Sequence, residues 1–213
     1  MNANLASMIA ALAALAMSAP AAAKPDQAPI SSAVDLGTLN VFAGCLADRY
    51  ERNMRRLLAM DYRTPAYDDA LRTLTRMGDR CSPFAFGKLR SSRVLVAGAF
   101  AEALLPETLN GAGLADRVAY DPAKPAVAAR DEGEYLGLCA VRTMPDEVAA
   151  LLATKPASAG ERLAIGKLRP RLGPCVRAGA AARVNSAGLR ALLALAAYRL
   201  ASQDPSPKRP VGR

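Results

Sequence analysis

Apolar residues along this chain recur mostly at steps of three and four, the spacing that puts them on one face of a helix. Between 37 and 60 the stripe is Leu39, Phe42, Leu46, Tyr50, Met54 and Leu57, with Asp48/Arg52 and Glu51/Arg55 as i,i+4 pairs on the wet side. Thr64-Pro65 predicts the start of a second helix with proline in its first turn. Tyr67, Leu71, Leu74 and Met77 form its stripe, and Gly78 stops it. Ser91 or Ser92 opens a third helix to about 105, apolar nearly all round, which predicts burial. The pattern then starts again. A helix is expected near 132–142, a short one from Thr143-Met144-Pro145-Asp146, and one from the capping-box signature Ser158–Glu161 to about 169. Asn185-Ser186 precedes another all-round apolar helix to about 201. No segment sustains strand alternation, although 84–90 and 178–184 could pair as a short ladder.

The four cysteines sharpen this into a duplication. Cys45 to Cys81 is 36 positions, and Cys139 to Cys175 is again 36. At the implied offset of 94, Leu57-Leu58-Ala59 falls on Leu151-Leu152-Ala153. Ala70 and Leu74 fall on Ala164 and Leu168, and Ser92, Leu95, Ala97 and Ala103 on Ser186, Leu189, Ala191 and Ala197. A copied unit carries its own bond, so the expected disulfides are Cys45–Cys81 and Cys139–Cys175, each worth roughly 4 kcal/mol by loop-closure entropy. The rival, a four-cysteine zinc site, normally shows C-x2–4-C pairs, and none is present. The expected fold is all-α: two tandem copies of a three-to-four-helix, disulfide-stapled unit packed about a pseudo-twofold. Leu95 and Leu189 should lie in the shared core.

The ends read differently. Leu5 to Met17 is uncharged and apolar, followed by Ala21-Ala22-Ala23. That is the pattern of a secretory signal, too short to span a bilayer, although no Lys or Arg precedes it. The competing reading is a buried N-terminal helix. The resulting division is signal peptide 1–23, linker 24–35, first repeat 36–106, connector 107–131 read mostly as loop, second repeat 132–202 and disordered tail 203–213. The expectation is a periplasmic or secreted protein with no transmembrane segment in its mature form.

The whole pattern resembles a group of uncharacterised exported bacterial proteins with a duplicated, cysteine-paired helical unit. The second unit carries the match as Leu138-Cys139-Ala140-Val141-Arg142, Leu151-Leu152, Leu168-Arg169-Pro170-Arg171-Leu172, Cys175 and Leu189-Arg190-Ala191. The first matches more loosely, at Cys45, Leu57-Leu58, Cys81 and Leu95. The resemblance implies fold and export, not an activity.

Composition removes function classes. The chain has 213 residues and no histidine, so the commonest metal ligand and every Ser-His or Cys-His nucleophile pair are missing. Glu102 is a lone carboxylate on the buried third helix, and reads as a residue at the open rim or an arginine partner sooner than an acid catalyst. Asp68-Asp69, Asp131-Glu132 and Asp146-Glu147 sit at helix starts, where they serve the dipole, not a cleft. Gly111-x-Gly113 lacks the preceding strand of a phosphate cradle. No cofactor, catalytic residue or metal site is expected.

Charge is what remains. The net charge is +9. Residues 167–190 hold Lys167, Arg169, Arg171, Arg177, Arg183 and Arg190 with no acid, and Arg80, Lys88 and Arg90 occupy the matching stretch of the first unit. The expected anion-binding set is Arg169, Arg171, Arg177, Arg183, Arg80, Lys88 and Arg90, on a doubled surface facing an anionic envelope polymer or lipid headgroup. The competing reading is a solvated basic face. Nucleic acid fits poorly, with 5% aromatics and none among the second-unit arginines. The function read from sequence is a non-catalytic exported helical protein with a binding or structural role in the envelope. The alternatives are an accessory or inhibitor protein for an envelope partner, or a carboxylate-dependent hydrolase.

Overall fold

The structure is a computed structural model that describes residues 33–81, 91–177 and 184–203. The expected signal peptide, most of the linker, the expected ladder apart from Val184, and nearly all of the tail lie outside these. Among the described residues all regular structure is helical: α1 (Ala33–Ala59), α2 (Pro65–Met77), α3 (Arg93–Leu109), α4 (Leu114–Val118), α5 (Glu132–Thr143), α6 (Pro145–Leu152), α7 (Ala159–Leu168) and α8 (Ser186–Ala201). No helix among them is long and apolar enough to cross a membrane.

Local chemistry explains the boundaries. Thr64 accepts from the Tyr67 amide at the start of α2, and Ser158 from the Glu161 amide at the start of α7. The carboxylate of Glu161 reaches back one residue further than the usual capping box, to the amide of Ala157 at 2.6 Å. Asn185, not Ser186, caps α8, accepting from Gly188. Ser92 occupies the N-cap of α3 without a side-chain bond. Gly78 ends α2, but its φ of −88° needs no glycine. Its missing side chain makes room instead, since a Cβ there would lie 2.4 Å from Leu46 Cδ2.

Two expectations need correction. α1 begins at Ala33, so the last three residues assigned to the linker are helical. α3 does not stop near 105 but runs through Pro106 to Leu109, ending on the left-handed Asn110 (φ 50°). Within the connector, otherwise mostly irregular, Leu114 and Val118 anchor the short α4 in the core. The wet-side pair Glu51–Arg55 forms at 2.5 Å, whereas Asp48 and Arg52 make no ion pair among the described residues.

α1 is broken at Tyr50 (φ −134°, ψ 31°). Met144, which divides α5 from α6, has nearly the same backbone (φ −141°, ψ 53°). At Met144 the following Pro145 disfavours helix. At Tyr50 no proline follows, and the tyrosine hydroxyl instead donates to the Met77 carbonyl at 2.6 Å, anchoring the break to the end of α2.

α3 and α8 pack against each other at the centre, with α1 laid on α3, α5 on α8, and α6 on α7. The central crossing is close because Gly98 lies against Ala191, where a Cβ on Gly98 would come within 2.4 Å of the Ala191 Cα. Leu95 and Leu189 are both buried. Cys45–Cys81 and Cys139–Cys175 are bonded, each with Cα atoms 5.5 Å apart, and no cysteine is free. The bonded thiols leave nothing for a four-cysteine zinc site.

Candidate functional site

The basic surface expected from sequence is built on the irregular segment after α7. Pro170 has no amide hydrogen to extend the helix, so the chain tightens into short 3-10 turns at Arg169–Arg171 and Gly173–Cys175. Arg169, Arg171 and Arg177 project from it and are exposed. They are not free, however. Arg171 pairs with Glu147. Arg177 pairs with Glu132 at 2.8 Å and lies over the Tyr135 ring, 4.0 Å from its centroid. Arg169 donates to the Val184 carbonyl at 3.1 Å. The sequence reading counted no acid within 167–190 and missed that α5 and α6 bring Glu132 and Glu147 from outside that stretch. Arg80 is exposed in the 3-10 turn Asp79–Cys81 and makes no ion pair among the described residues. Arg183, Lys88 and Arg90 lie outside the described residues.

Arg190 was grouped with that basic stretch and belongs elsewhere. It sits on α8 at 5% exposure in the interior. Its Nε and Nη2 grip both oxygens of Glu102 on α3, at 2.9 and 2.6 Å. Nη1 donates to Glu161 at 3.3 Å, and the remaining hydrogens go to the carbonyls of Leu151, Leu152 and Thr154 at the end of α6. Asn40 on α1 completes the set by donating to Glu102 at 3.3 Å. A buried charge is tolerated only when paired and hydrogen-bonded, and here one guanidinium ties five helices. Glu102 is thus an arginine partner, one of the two structural readings its isolation left open. The readable signal was one acid and one base, each set inside a helix that is otherwise apolar apart from charges near its ends.

A second polar knot holds the connector. Glu134 is 3% exposed and accepts from Arg199 Nη1 and the Arg130 amide, both at 2.8 Å. Its other oxygen has only a charge contact, 3.5 Å from Arg130 Nη1. Burial pulls the Arg199 guanidinium below its ordinary value, and the Glu134 charge opposes that. Arg130 also donates to the Met60 carbonyl at 2.8 Å, and the Tyr62 hydroxyl to Asp131 at 2.9 Å, fastening the end of α1 to the start of α5. The knot is a clasp, not a reaction centre.

The chain matches no family model, and no curated protein or solved structure was found similar to it.

The acidic pairs are employed singly. Asp68 pairs with Arg93, Asp69 with Arg72, and Asp131 caps α5. Among the described residues no three Cys, Asp or Glu side chains converge as a metal site. Glu102 and Glu161 do line one small pocket together, but Arg190 lies between them and pairs with both.

Proposed function

We propose that this chain is an exported, two-copy helical protein that binds anionic groups of the cell envelope without catalysing a reaction. Two disulfides with identical 36-residue separations carry the reading. Such bonds persist in oxidising compartments, and the apolar run at 5–17 supplies a route there. The duplication is supported at the offset of 94 by the helix breaks at Tyr50 and Met144, by the caps Thr64 and Ser158, and by the 3-10 turns 79–81 and 173–175. A pseudo-twofold through the α3/α8 crossing fits Gly98 against Ala191, one position from the equivalent pair Ala97 and Ala191. The resemblance to exported cysteine-paired proteins agrees with this.

The net charge of +9 selects the ligand class. Arg171 and Arg177 are partly neutralised by their carboxylates, so the exposed charges best placed to bind are Arg80 and Arg169. Retention of the oxidised full chain on anionic envelope polymer should fall steeply with salt, because exposed charges are screened within about 8 Å at physiological ionic strength. The double variant Arg80→Glu/Arg169→Glu should reduce retention while leaving the thermal midpoint nearly unchanged. Salt-independent retention, or none, would overturn the reading.

A further inference from the structure

A groove of about 250 Å³ lies away from the arginines discussed so far, where the connector passes over the ends of α4, α5 and α8. Its charged lining is unbalanced: Arg117, Lys124 and Arg142 face it against one acid, Asp121. That acid is already engaged, holding the Ala123 amide at 2.9 Å in its own turn.

The cations are not used up in the same way. Arg117 Nη2 donates to the Thr108 and Ala201 carbonyls, closing the ends of α3 and α8, but its Nε is buried with no partner. Lys124 Nζ has a single carbonyl, that of Arg117, at 3.2 Å. Arg142 is exposed at the end of α5 and has neither a carboxylate nor a carbonyl among the described residues. Cations near helix C-termini often serve the dipole. Arg117 does so, whereas Arg142 donates to no carbonyl. An oxyanion in the groove would give Arg142 and Lys124 the charge-assisted bonds they lack.

Apart from Gln203, the rest of the lining is apolar or aromatic. Tyr120 is 88% exposed, and Pro122, Pro125 and Leu200 form the walls. The volume falls just below the roughly 300–1,000 Å³ of drug-sized sites, which suits one sugar-sized group. We infer that this groove binds an oxyanion carried on a sugar-sized ring, with Arg142 and Lys124 receiving the charge, Arg117 adding its field and Tyr120 covering the ring. This rests on the anion-binding reading and places its ligand on the connector, not on the arginines after α7.

The test titrates the oxidised full chain with glucuronate, glucose 1-phosphate, inorganic phosphate and neutral glucose, followed by calorimetry. Both sugar anions should bind and glucose should not, and their relative affinity tells a carboxylate site from a phosphate site. Arg142→Gln removes a side chain without partners, so it should fold normally and weaken both sugar anions by about tenfold. Tyr120→Ala should weaken the sugar anions and leave inorganic phosphate unchanged. Arg72→Gln, at an exposed arginine of α2 outside both surfaces, should change nothing. If neither sugar anion binds, or if Arg72→Gln weakens them as much as Arg142→Gln, the groove is not the site. Salt-sensitive retention on envelope polymer that persists alongside that result would keep the wider reading, whereas loss of retention by the unaltered chain would end both.

Discussion

Arg190 and Tyr67 are both interior polar residues, with opposite fortunes. Arg190 has its hydrogens assigned to Glu102, Glu161, Thr154 and the carbonyls ending α6. Arg190→Met would strand Glu102 and Glu161 in the interior, and breaking a buried pair from one side costs about 3–5 kcal/mol. Urea denaturation of that variant should show the loss, and a change below about 1 kcal/mol would mean the network is idle. Tyr67 is fully buried, and its hydroxyl has no hydrogen-bond partner. Tyr67→Phe should therefore leave stability at pH 7 unchanged or raise it by about 1 kcal/mol. Burial, aided by the Asp68 charge, pushes the Tyr67 phenol above its ordinary value of 10.0. Burial and the bond to Asp131 do the same for Tyr62. A folded chain that holds these protons longer than the unfolded chain keeps their contribution whole below pH 10.0 and loses it as pH climbs toward the raised folded values. The thermal midpoint should thus begin to fall near pH 10, less steeply in Tyr67→Phe than in the parent.

At the level of the helices, the tolerance of a glycine is set by what its missing side chain admits. A Cβ on Gly98 would meet the Ala191 Cα and Cβ at 2.4 Å and its carbonyl oxygen at 2.7 Å. Backbone cannot swing aside, so Gly98→Ala should cost about 1–3 kcal/mol or more by prising α3 from α8. Gly166, on the exposed side of α7, has nothing within 4 Å, and Gly166→Ala should stabilise by roughly 0.5–1 kcal/mol. Equal effects in calorimetry would contradict the close crossing. These two glycines also mark what the sequence could and could not disclose. Periodicity located seven of the eight helices among the described residues, because apolar spacing and capping residues such as Thr64 and Ser158 are local signals. The extension through Pro106 and the five-residue α4 were hidden, because long-range burial of Leu114 and Val118 decides them. The basic surface was misjudged for the same reason. Arg171 and Arg177 meet their carboxylates 24 and 45 residues away in sequence, across a fold that spacing alone does not reveal. The disulfides were legible because a repeated interval is countable.

For the molecule as a whole, each disulfide fastens a helical stretch that breaks soon after its cysteine to the 3-10 turn that follows a cap-initiated helix. Cys45–Cys81 joins α1 to the turn after α2, and Cys139–Cys175 joins α5 to the turn after α7. Replacing Cys139 and Cys175 by alanine should cost about 2–4 kcal/mol, read as a lowered denaturation midpoint. Non-reduced peptide mapping of the parent should recover only the two bonds within halves. A peptide joining Cys45 to Cys139 or Cys175 would contradict both the pairing and the duplication.

The meeting of Gly98 with Ala191 has a kinetic corollary. The partners are 93 residues apart (191 − 98), whereas each sulfur bridge spans only 36. Distant pairings must overcome more chain entropy before contact rewards them, so local closures come first. Thiol trapping during oxidative refolding should catch both bridges formed while the Tyr67 surroundings are still loose. A chain threaded slowly into an oxidising space would then be committed to its correct partners before its last helix arrives, and α8 would act as the latch that turns two tethered halves into one body.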